Sequence, residues 1–337
     1  LYMHFNYYIS DNIKLLLGST YKNIDQKVNS VFETYKSSVS YDYKYSELDL
    51  YSKLQYKVND KLEINAGIRH SKKNDFKIEY DVINLSTNTK INKTPENITT
   101  RTNYLPEFSA IYHINSSNHI KFLHGKANQL AYNAIDVFED IESTEINYIY
   151  LSNKFQINSS VFYNKAKNIS LFTQKGTDKA TTPNGNRITK GFEFYLAYKI
   201  NYNFDINTSF TIQDTKNEVT GSSKNYEPDF SPELIGKLQF SYLKNKTRYS
   251  LFTNYLSKMK SSIDKSTKNR LGKDSNYNLN INTNINHKIS KNLFLDLNIN
   301  NILNRDNRMP AGSTLTKFEN GAFTKGREIL FNIKYKF

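Results

Sequence analysis

Polar and apolar residues alternate with a period of two along almost the whole chain. The clearest stretch runs from Tyr277 to Asn286, where mostly apolar residues at odd positions alternate with asparagine at every even position. A strand sorts such residues onto two faces, whereas a helix would scatter them around its axis. The pattern therefore predicts an all-β, antiparallel fold.

The same alternation predicts about 15 strands and no α-helix of useful length. The approximate spans are 1–9, 13–26, 45–58, 61–79, 101–114, 119–128, 144–152, 155–172, 186–200, 203–217, 232–244, 246–260, 276–289, 292–303 and 325–337.

Short and long connections alternate between these strands. The short turns fall near residues 10–12, 59–60, 115–118, 153–154, 201–203, 244–245 and 290–292. The long loops are expected near 27–44, 80–100, 129–143, 173–185, 218–231, 261–275 and 304–324. This asymmetry is typical of a bacterial outer-membrane barrel, whereas a β-sandwich has mixed lengths at both ends. We therefore predict an antiparallel transmembrane β-barrel with long loops outside the cell and short turns in the periplasm.

The composition is that of a polar chain rich in aromatic residues. Hydrophobic residues make up 38%, the net charge is +14, and there are 26 Tyr and 21 Phe. Low hydrophobicity with high charge can signal disorder, but disordered chains are poor in aromatic residues. A barrel accounts for both features, because its inward face is polar and its aromatic residues gather in two interfacial girdles. The sequence has no apolar run of the roughly 18 residues that a transmembrane helix needs.

The basic excess has two interpretations. It reflects a composition rich in Lys and Asn throughout, or it attracts anionic lipid headgroups or anionic ligands. Because the positive charge is dispersed along the chain, nucleic acid is not an expected partner.

The sequence offers few signals of catalysis or metal binding. Without cysteine there are no disulfides, thiolate metal sites or Cys nucleophiles. No two histidines have the spacing of a metal-binding pair, so we expect isolated strand or turn histidines, no metal site and no cofactor. They are His4, His70, His113, His119, His124 and His287. No Ser-His or Asp-His motif stands out near a rim, so an enzyme is not expected.

An acidic segment follows the middle of the chain, with carboxylates at Asp136, Glu139, Asp140, Glu142 and Glu145. We expect a solvated loop there, and the alternative is a site for a metal or cationic ligand.

Six segments, in order and at matching spacing, resemble the TonB-dependent receptor family over about residues 100–337. They are Tyr104-Leu105-Pro106-Glu107-Phe108, His124-Gly125-Lys126-Ala127, Glu139 with Thr144, Glu145, Tyr148 and Tyr150, Gly191-Phe192-Glu193, Asn300 to Pro310, and Gly326 to Phe337. The chain departs from the family pattern at Asn128-Gln129-Leu130-Ala131, where the family has Phe-Arg-x-Pro, and at Phe138, where it has Pro. In the family's haem receptors a His lies downstream of that box, whereas the stretch from Tyr132 to Asp140 of this chain has no His.

The resemblance implies a function and a domain organisation. It implies that residues 1–337 form the C-terminal part of a 22-stranded barrel, with the plug domain not present in this chain. It implies a receptor that imports a scarce nutrient such as a ferric siderophore, energised through TonB, which would act through the missing N-terminal part. Outer-membrane lipids and a ferric chelate are the other expected partners. The alternative is a passive porin or other structural outer-membrane barrel.

Aromatic residues in the long loops are the predicted ligand contacts. They are Tyr132, Phe138, Phe172, Tyr226, Phe230 and Phe318. Arg270, with Arg101 and Arg187, is a candidate for pairing with anionic groups of a chelate. The alternative is that these side chains are girdle aromatics and ordinary loop charges. Tyr335 and Phe337 end an apolar ladder and resemble the signal read during outer-membrane assembly; the alternative is an ordinary last strand.

Overall fold

The computed structural model describes residues 1–32, 37–92, 96–98, 102–131, 134–169, 171, 185–221, 225–264, 266–310 and 320–337. Of these, residues 26, 28–32, 37–43, 78, 80–81, 91–92, 96, 98, 130–131 and 134–138 are described by their backbone alone.

All regular secondary structure within these described ranges is β. The strands are β1 Tyr2–Ser10, β2 Ile13–Phe32, β3 Ser37–Lys57, β4 Leu62–Lys73, β5 Phe76–Asn84, β6 Thr89–Asn92, β7 Glu96–Ile98, β8 Thr102–His113, β9 Asn118–Ala131, β10 Ala134–Leu151, β11 Phe155–Ile169, β12 Gly185–Lys199, β13 Phe204–Val219, β14 Asn225–Tyr226, β15 Leu234–Lys244, β16 Thr247–Leu256, β17 Asn278–Lys288, β18 Leu293–Asn300, β19 Arg308–Met309, β20 Ala322–Phe323 and β21 Glu328–Tyr335. The part of the chain that the structure describes has no helix of the length and apolarity that a membrane crossing would need.

Fifteen of these strands coincide with the predicted spans, and the six others, β5, β6, β7, β14, β19 and β20, lie wholly or mainly in predicted loops. Three of the predicted long loops are wrong. The stretch 80–100 contains the end of β5 and all of β6 and β7. The stretch 27–44 continues the β2–β3 hairpin, whose register runs to the pair Phe32 and Ser37. The stretch 129–143 belongs largely to β9 and β10. A strand pair that projects into water needs no apolar face, so alternation of polarity does not reveal it.

The first compact unit comprises Leu1–Ala110 and Gly125–Phe138. Its strands pair antiparallel in the sequence β1–β2–β3–β4, with β5 extending the edge of β3 beyond β4. The short turn before β4 is closed by Asn59, whose Oδ1 accepts hydrogen bonds from the Lys61 and Leu62 amides at 2.8 and 3.0 Å. Such an Asx turn explains why the chain reverses there within a few residues.

The second unit comprises Ile111–His124 and Glu139–Phe337. Here β10, β11, β12, β13, β15, β16, β17, β18 and β21 form an antiparallel meander, each strand paired with the next. We call these nine strands the strand wall. Its register is continuous in most pairs, which fixes the face of every side chain.

One face of the strand wall is apolar and exposed. Cross-strand rows such as Ile146–Val161–Phe192–Ile212 lie on it. Aromatic side chains mark the boundary of this face at the short-turn end of the strands, where the rings of Phe155 and Tyr198 stack at 4.2 Å between centroids. Along β11 the apolar face runs from Phe155 to the exposed Tyr163. That length matches the roughly 9–11 residues with which a tilted strand crosses a membrane.

The opposite face of the strand wall is polar and carries many asparagines. Asn284 Nδ2 donates to Asn298 Oδ1 at 2.7 Å, and Asn300 Nδ2 donates to Glu328 Oε2 at 3.2 Å. Asn286 makes the same kind of bond to Asp296. Side-chain amides therefore satisfy each other across strands, which explains how a chain with mean hydropathy −0.67 forms so much sheet.

The last strand carries the predicted assembly residues. Tyr335 pairs with Leu293 at the end of β21, and its ring meets that of Phe337 edge-on at 5.1 Å. Both side chains are exposed. Their role as an assembly signal stays a prediction.

Candidate ligand-binding site in the loops

Two loops of the second unit pack against each other at the long-loop end of the strand wall. One lies between β13 and β15, at residues 225–233, and the other lies between β16 and β17, at the described residues 257–264 and 266–277. We call these two segments, together with Arg187 and Asn217, the loop cluster.

The first loop is anchored on the strand below it. β14 pairs back onto β13, with Tyr226 opposite Asn217. Asn217 also lies opposite Arg187 on β12, and the Arg187 Nε donates to Asn217 Oδ1 at 2.9 Å. Because Asn217 is only 1% exposed, this hydrogen bond forms out of water and keeps a definite geometry.

Asp229 connects the two loops. It forms a parallel β-bridge with Lys260, and the Phe230 amide donates to the Lys260 carbonyl at 3.0 Å. Its carboxylate accepts a hydrogen bond from Ser262 Oγ at 3.1 Å and lies 3.9 Å from the Arg187 guanidinium. A half-buried carboxylate with these partners holds both loops to the end of β12.

Arg270 is a second connection between the loops. Its Nη1 donates to the Ser261 carbonyl at 2.6 Å, and its Nη2 donates to the Glu227 carbonyl at 2.8 Å. Two of its five N–H donors are therefore committed to the backbone. The structure gives Arg270 a role in joining the loops, and its predicted role in binding an anionic chelate stays a prediction.

The second loop has a tightly packed interior. Met259, Ser261 and Ser262 are almost fully buried, and Met259 and Ile263 form β-bridges to Ser275 and Arg270. Ser261 Oγ donates to the Gly272 carbonyl at 2.5 Å. Small hydroxyl side chains therefore satisfy polar groups of both loops, because Ser261 Oγ bonds the Gly272 carbonyl and Ser262 Oγ bonds the Asp229 carboxylate.

A cavity of about 320 Å³ opens beside the first loop. Its walls carry charges of both signs and one aromatic ring, contributed among others by Gln213, Lys216, Tyr226, Glu227, Lys258 and Lys260. The pKa of Lys260 is raised above its ordinary value, chiefly because its ammonium donates a hydrogen bond to Asp274 at 2.9 Å and also because Glu227 lies 3.3 Å away. Lys260 is thus a fixed positive charge at the cavity wall.

The predicted binding residues fall into two groups. Tyr226, Phe230 and Arg270 all belong to the loop cluster, and Tyr226 lines the cavity. Phe230 is 40% exposed and has a positive φ of 55°, a strained conformation for an aromatic residue. Tyr132, Phe172, Phe318 and Arg101 lie outside the described residues, and Phe138 lies on β10 with only its backbone described.

The predicted acidic loop is wrong as a loop, because its residues lie on β10. The strand pairs with β11 from Asp140 to Leu151, which spreads the carboxylates along one strand. The His124 Nε2 lies 4.0 Å from Glu142 Oε1, and its Nδ1 lies 2.9 Å from Thr144 Oγ1. Over the described ranges, no three His, Asp or Glu side chains form a group able to hold a metal ion.

The expectation of isolated histidines is also wrong at one hairpin. His113 and His119 lie on either side of the turn at 115–118, and their Nδ1 atoms are 2.7 Å apart. A spacing of six residues carries no metal-binding signature by itself, but the register of the hairpin brings the rings together.

Sequence reasoning missed Asp229, Asn217 and Ser262. The cross-strand pair of Arg187 and Asn217 follows from the register of β12 and β13, so a correct strand alignment would have found it. Asp229 and Ser262 carry no local signal, because they meet only when two loops fold together.

Several residues that carried the family resemblance have structural roles. Asn301 is 2% exposed; its Oδ1 accepts from the Arg305 amide at 2.9 Å and its Nδ2 donates to the Arg305 carbonyl at 2.9 Å. Asn307 similarly exchanges two hydrogen bonds with the backbone of Leu279. Gly191 admits no side chain, since a Cβ there would meet the Ile212 carbonyl at 2.4 Å.

The chain belongs to the family of TonB-dependent receptor-like β-barrels, which it matches over residues 2–302. The predicted class, an antiparallel outer-membrane β-barrel, is therefore confirmed. The family is one of transport receptors and not of enzymes. No match was found among the curated proteins.

Three solved structures illustrate the similarity. The ferric yersiniabactin uptake receptor FyuA from Yersinia pestis has 14% identity and a TM-score of 0.77, covering 100% of this chain and 53% of that one. The copper transporter OprC has 14% identity and a TM-score of 0.77, covering 100% and 56%. The ferric-catecholate import receptor Fiu from Escherichia coli K12 has 12% identity and a TM-score of 0.68, covering 100% and 63%. The chain thus spans little more than half the length of these proteins.

Proposed function

We propose that this chain is the barrel part of an active-uptake receptor that imports a scarce nutrient, such as a ferric siderophore, across the outer membrane. Membership of the TonB-dependent receptor-like family, over residues 2–302, is the observation that carries the proposal. The similar structures support the substrate class, because their names describe uptake of ferric chelates and of copper. In this proposal TonB supplies the energy, and outer-membrane lipids surround the barrel.

The physical logic links tight capture to an energy source. A nutrient too scarce or too large for diffusion through a pore must first be held with high affinity. Differences in affinity arise mostly in the off-rate, so tight capture makes spontaneous release slow. An external source of work is then needed to open the site, whereas a passive porin needs neither tight binding nor energy.

The loop cluster is the proposed capture surface. It joins two loops through Asp229 and Arg270 and places Tyr226, Lys258 and Lys260 around one cavity. A pre-organised surface loses little conformational entropy when the ligand binds. The Tyr226 ring and the ammonium groups of Lys258 and Lys260 suit a chelate that carries both flat apolar parts and negative charge.

Uptake of labelled ferric chelates by cells expressing the intact gene tests the main proposal. We expect saturable uptake that a protonophore abolishes, because the energy comes from the proton gradient. Linear uptake that ignores the protonophore would instead identify a passive porin and overturn the proposal.

Binding to the same cells, measured without transport, tests the site. Tyr226→Ala, Phe230→Ala and Arg270→Ala are expected to weaken binding while the amount of barrel in the membrane stays constant. Tyr202→Ala is the matched control, since Tyr202 is 93% exposed in a short turn. Unchanged affinity in all three variants would show that the loop cluster is not the binding site. It would not contradict the proposed uptake function, which rests on the family.

A further inference from the structure

The β8–β9 hairpin carries two histidines at facing positions. The Ile114 amide donates to the Asn118 carbonyl at 2.9 Å, which closes the hairpin and places His113 opposite His119. Their Nδ1 atoms are 2.7 Å apart, and the ring planes are nearly perpendicular, at 83°. Two imidazole nitrogen atoms that could act as metal ligands therefore lie next to each other.

We propose that His113 and His119 form a binding site for one divalent transition-metal ion of the Zn²⁺ or Cu²⁺ class. Neutral imidazole is a good ligand for both ions. The inference rests on the geometry of this hairpin and is independent of the substrate and energy source proposed above.

The pair lies on the face of the hairpin opposite to its exposed apolar side chains. Tyr112, Ile114 and Ile120 are exposed apolar residues on the other side. Since successive side chains of a strand point to opposite faces, His113 and His119 share the polar face. Water is therefore available to complete the tetrahedral coordination that Zn²⁺ prefers.

A metal ion fits between the rings after a small movement. Zinc–nitrogen bonds are about 2.0–2.1 Å long, so two ligands at a tetrahedral angle lie about 3.3 Å apart. The observed separation of 2.7 Å would need to widen by about 0.6 Å, which side-chain rotation supplies. In the metal-free pair one Nδ1–H donates to the other Nδ1; on metal binding that ring shifts its proton to Nε2, so no net proton is released.

The turn holds the two ligands in place. Asn115 Oδ1 accepts hydrogen bonds from the Ser117 amide at 3.0 Å and from the Asn118 amide at 2.9 Å, and from the Asn118 side chain at 2.8 Å. Little conformational entropy is then lost on binding. Lys121 shares the face of His119, and its positive charge moderates the affinity for a cation.

The test is a titration of the folded protein with zinc in detergent micelles, in which isothermal titration calorimetry measures the binding. We expect one zinc equivalent that is lost in both His113→Ala and His119→Ala. The same equivalent is retained in His287→Ala, the matched control, because His287 Nδ1 faces a threonine hydroxyl at 2.8 Å and no second imidazole. Copper(II) added to the wild type is expected to show nitrogen couplings from two imidazoles in its electron paramagnetic resonance spectrum.

His113→Gln separates the metal site from a folding defect. It keeps hydrogen-bonding capacity in the hairpin but removes the imidazole, so it is expected to lose the zinc equivalent at an unchanged unfolding midpoint. Zinc binding equal to wild type in His113→Ala and His119→Ala would overturn the proposal. So would the absence of saturable zinc binding in the wild type.

Discussion

The strand wall and the loop cluster of the second unit are held together in opposite ways. In the strand wall the backbone ladder supplies the hydrogen bonds, and the side chains sort by polarity onto two faces, as in the row of Ile146, Val161 and Phe192. In the loop cluster there is no continuous backbone ladder, and side chains supply the hydrogen bonds instead. Arg270, for example, donates to two loop carbonyls. Repetition therefore stabilises the wall, whereas individual side chains determine the conformation of the loops.

This difference has consequences for mutation. Apart from close approaches such as that at Gly191, a wall position tolerates residues of suitable polarity, because its backbone partners do not depend on the side chain. A position in the loop cluster depends on the identity of the residue. The variants below test that contrast, in order of decreasing expected effect.

The largest effect is expected from Phe210→Arg in the middle of the strand wall. The Phe210 ring stacks with Phe194 at 5.4 Å on the apolar face of the strand wall. A charged residue at the membrane midplane costs about 2–4 kcal/mol, so the free energy of unfolding into denaturant should fall by at least this amount. Urea unfolding in lipid vesicles measures it.

Ser209→Arg is the control for that variant, because Ser209 is the adjacent residue and faces the polar side. Its stability should stay near that of the wild type. Equal losses in the free energy of unfolding for Phe210→Arg and Ser209→Arg would show that the two faces of the strand wall do not differ in environment at these residues.

The next effect is expected from Arg270→Ala in the loop cluster. Hydrogen bonds to charged groups contribute about 1.5–3 kcal/mol each, so local opening of the two loops should become easier by about 2 kcal/mol or more. Amide hydrogen exchange should accelerate at 225–233 and 257–277 while the strand wall keeps its protection. The control is Arg248→Ala, which breaks only an exposed ion pair to Asp205 at 3.6 Å. It should change amide exchange neither in the two loops nor in the strand wall.

Asn301→Ala should give a somewhat smaller loss at the end of β18. The variant leaves the Arg305 amide without its buried partner and removes one of the two hydrogen bonds to the Arg305 carbonyl, at a cost of about 1–3 kcal/mol. The unfolding midpoint reports the loss, and Asn298→Ala on the polar face of the wall should cost less. A larger loss in Asn298→Ala would contradict the idea that side chains matter most where the ladder ends.

The smallest effect is expected at the short turn that contains Asp60. Lys57 donates a hydrogen bond to this carboxylate at 2.8 Å and lowers the pKa of Asp60 below its ordinary value of 3.8. A lowered pKa gives stability that is present above that value and is lost as the pH falls through the folded-state pKa. Asp60→Asn should therefore be slightly less stable than wild type at neutral pH and equal to it in strong acid. The Asp60 carboxylate is exposed to solvent, so a large difference in thermal midpoint at pH 7 would contradict this account.

Much of the strand wall is predictable from the sequence. The alternation that ends in Asn286 predicts β17, and the Ser290 to Asn292 turn predicts where β18 begins. The predicted membership of Tyr226, Phe230 and Arg270 in long loops is also correct, because turn-rich segments between strands are visible locally.

The partners of the loop residues are not predictable in the same way. Arg270 looks like a free surface charge in the sequence, and only the folded loops show that it holds Glu227 and Ser261. The same applies to His113 and His119, whose spacing of six residues becomes a contact through the hairpin register. The extension of β9 and β10 through the predicted acidic loop is a third case, since strands surrounded by water need no apolar face.

The sequence by itself determined the repeating part of this protein: the strands, their two faces and the family. The reason is that alternation of polar and apolar residues with a period of two is a local property, and it recurs in every strand. Only the tertiary structure decided which side chains meet in the loop cluster and across the β8–β9 turn. Those contacts join residues far apart in the chain or depend on register, and each is made once, so no repetition in the sequence reveals them.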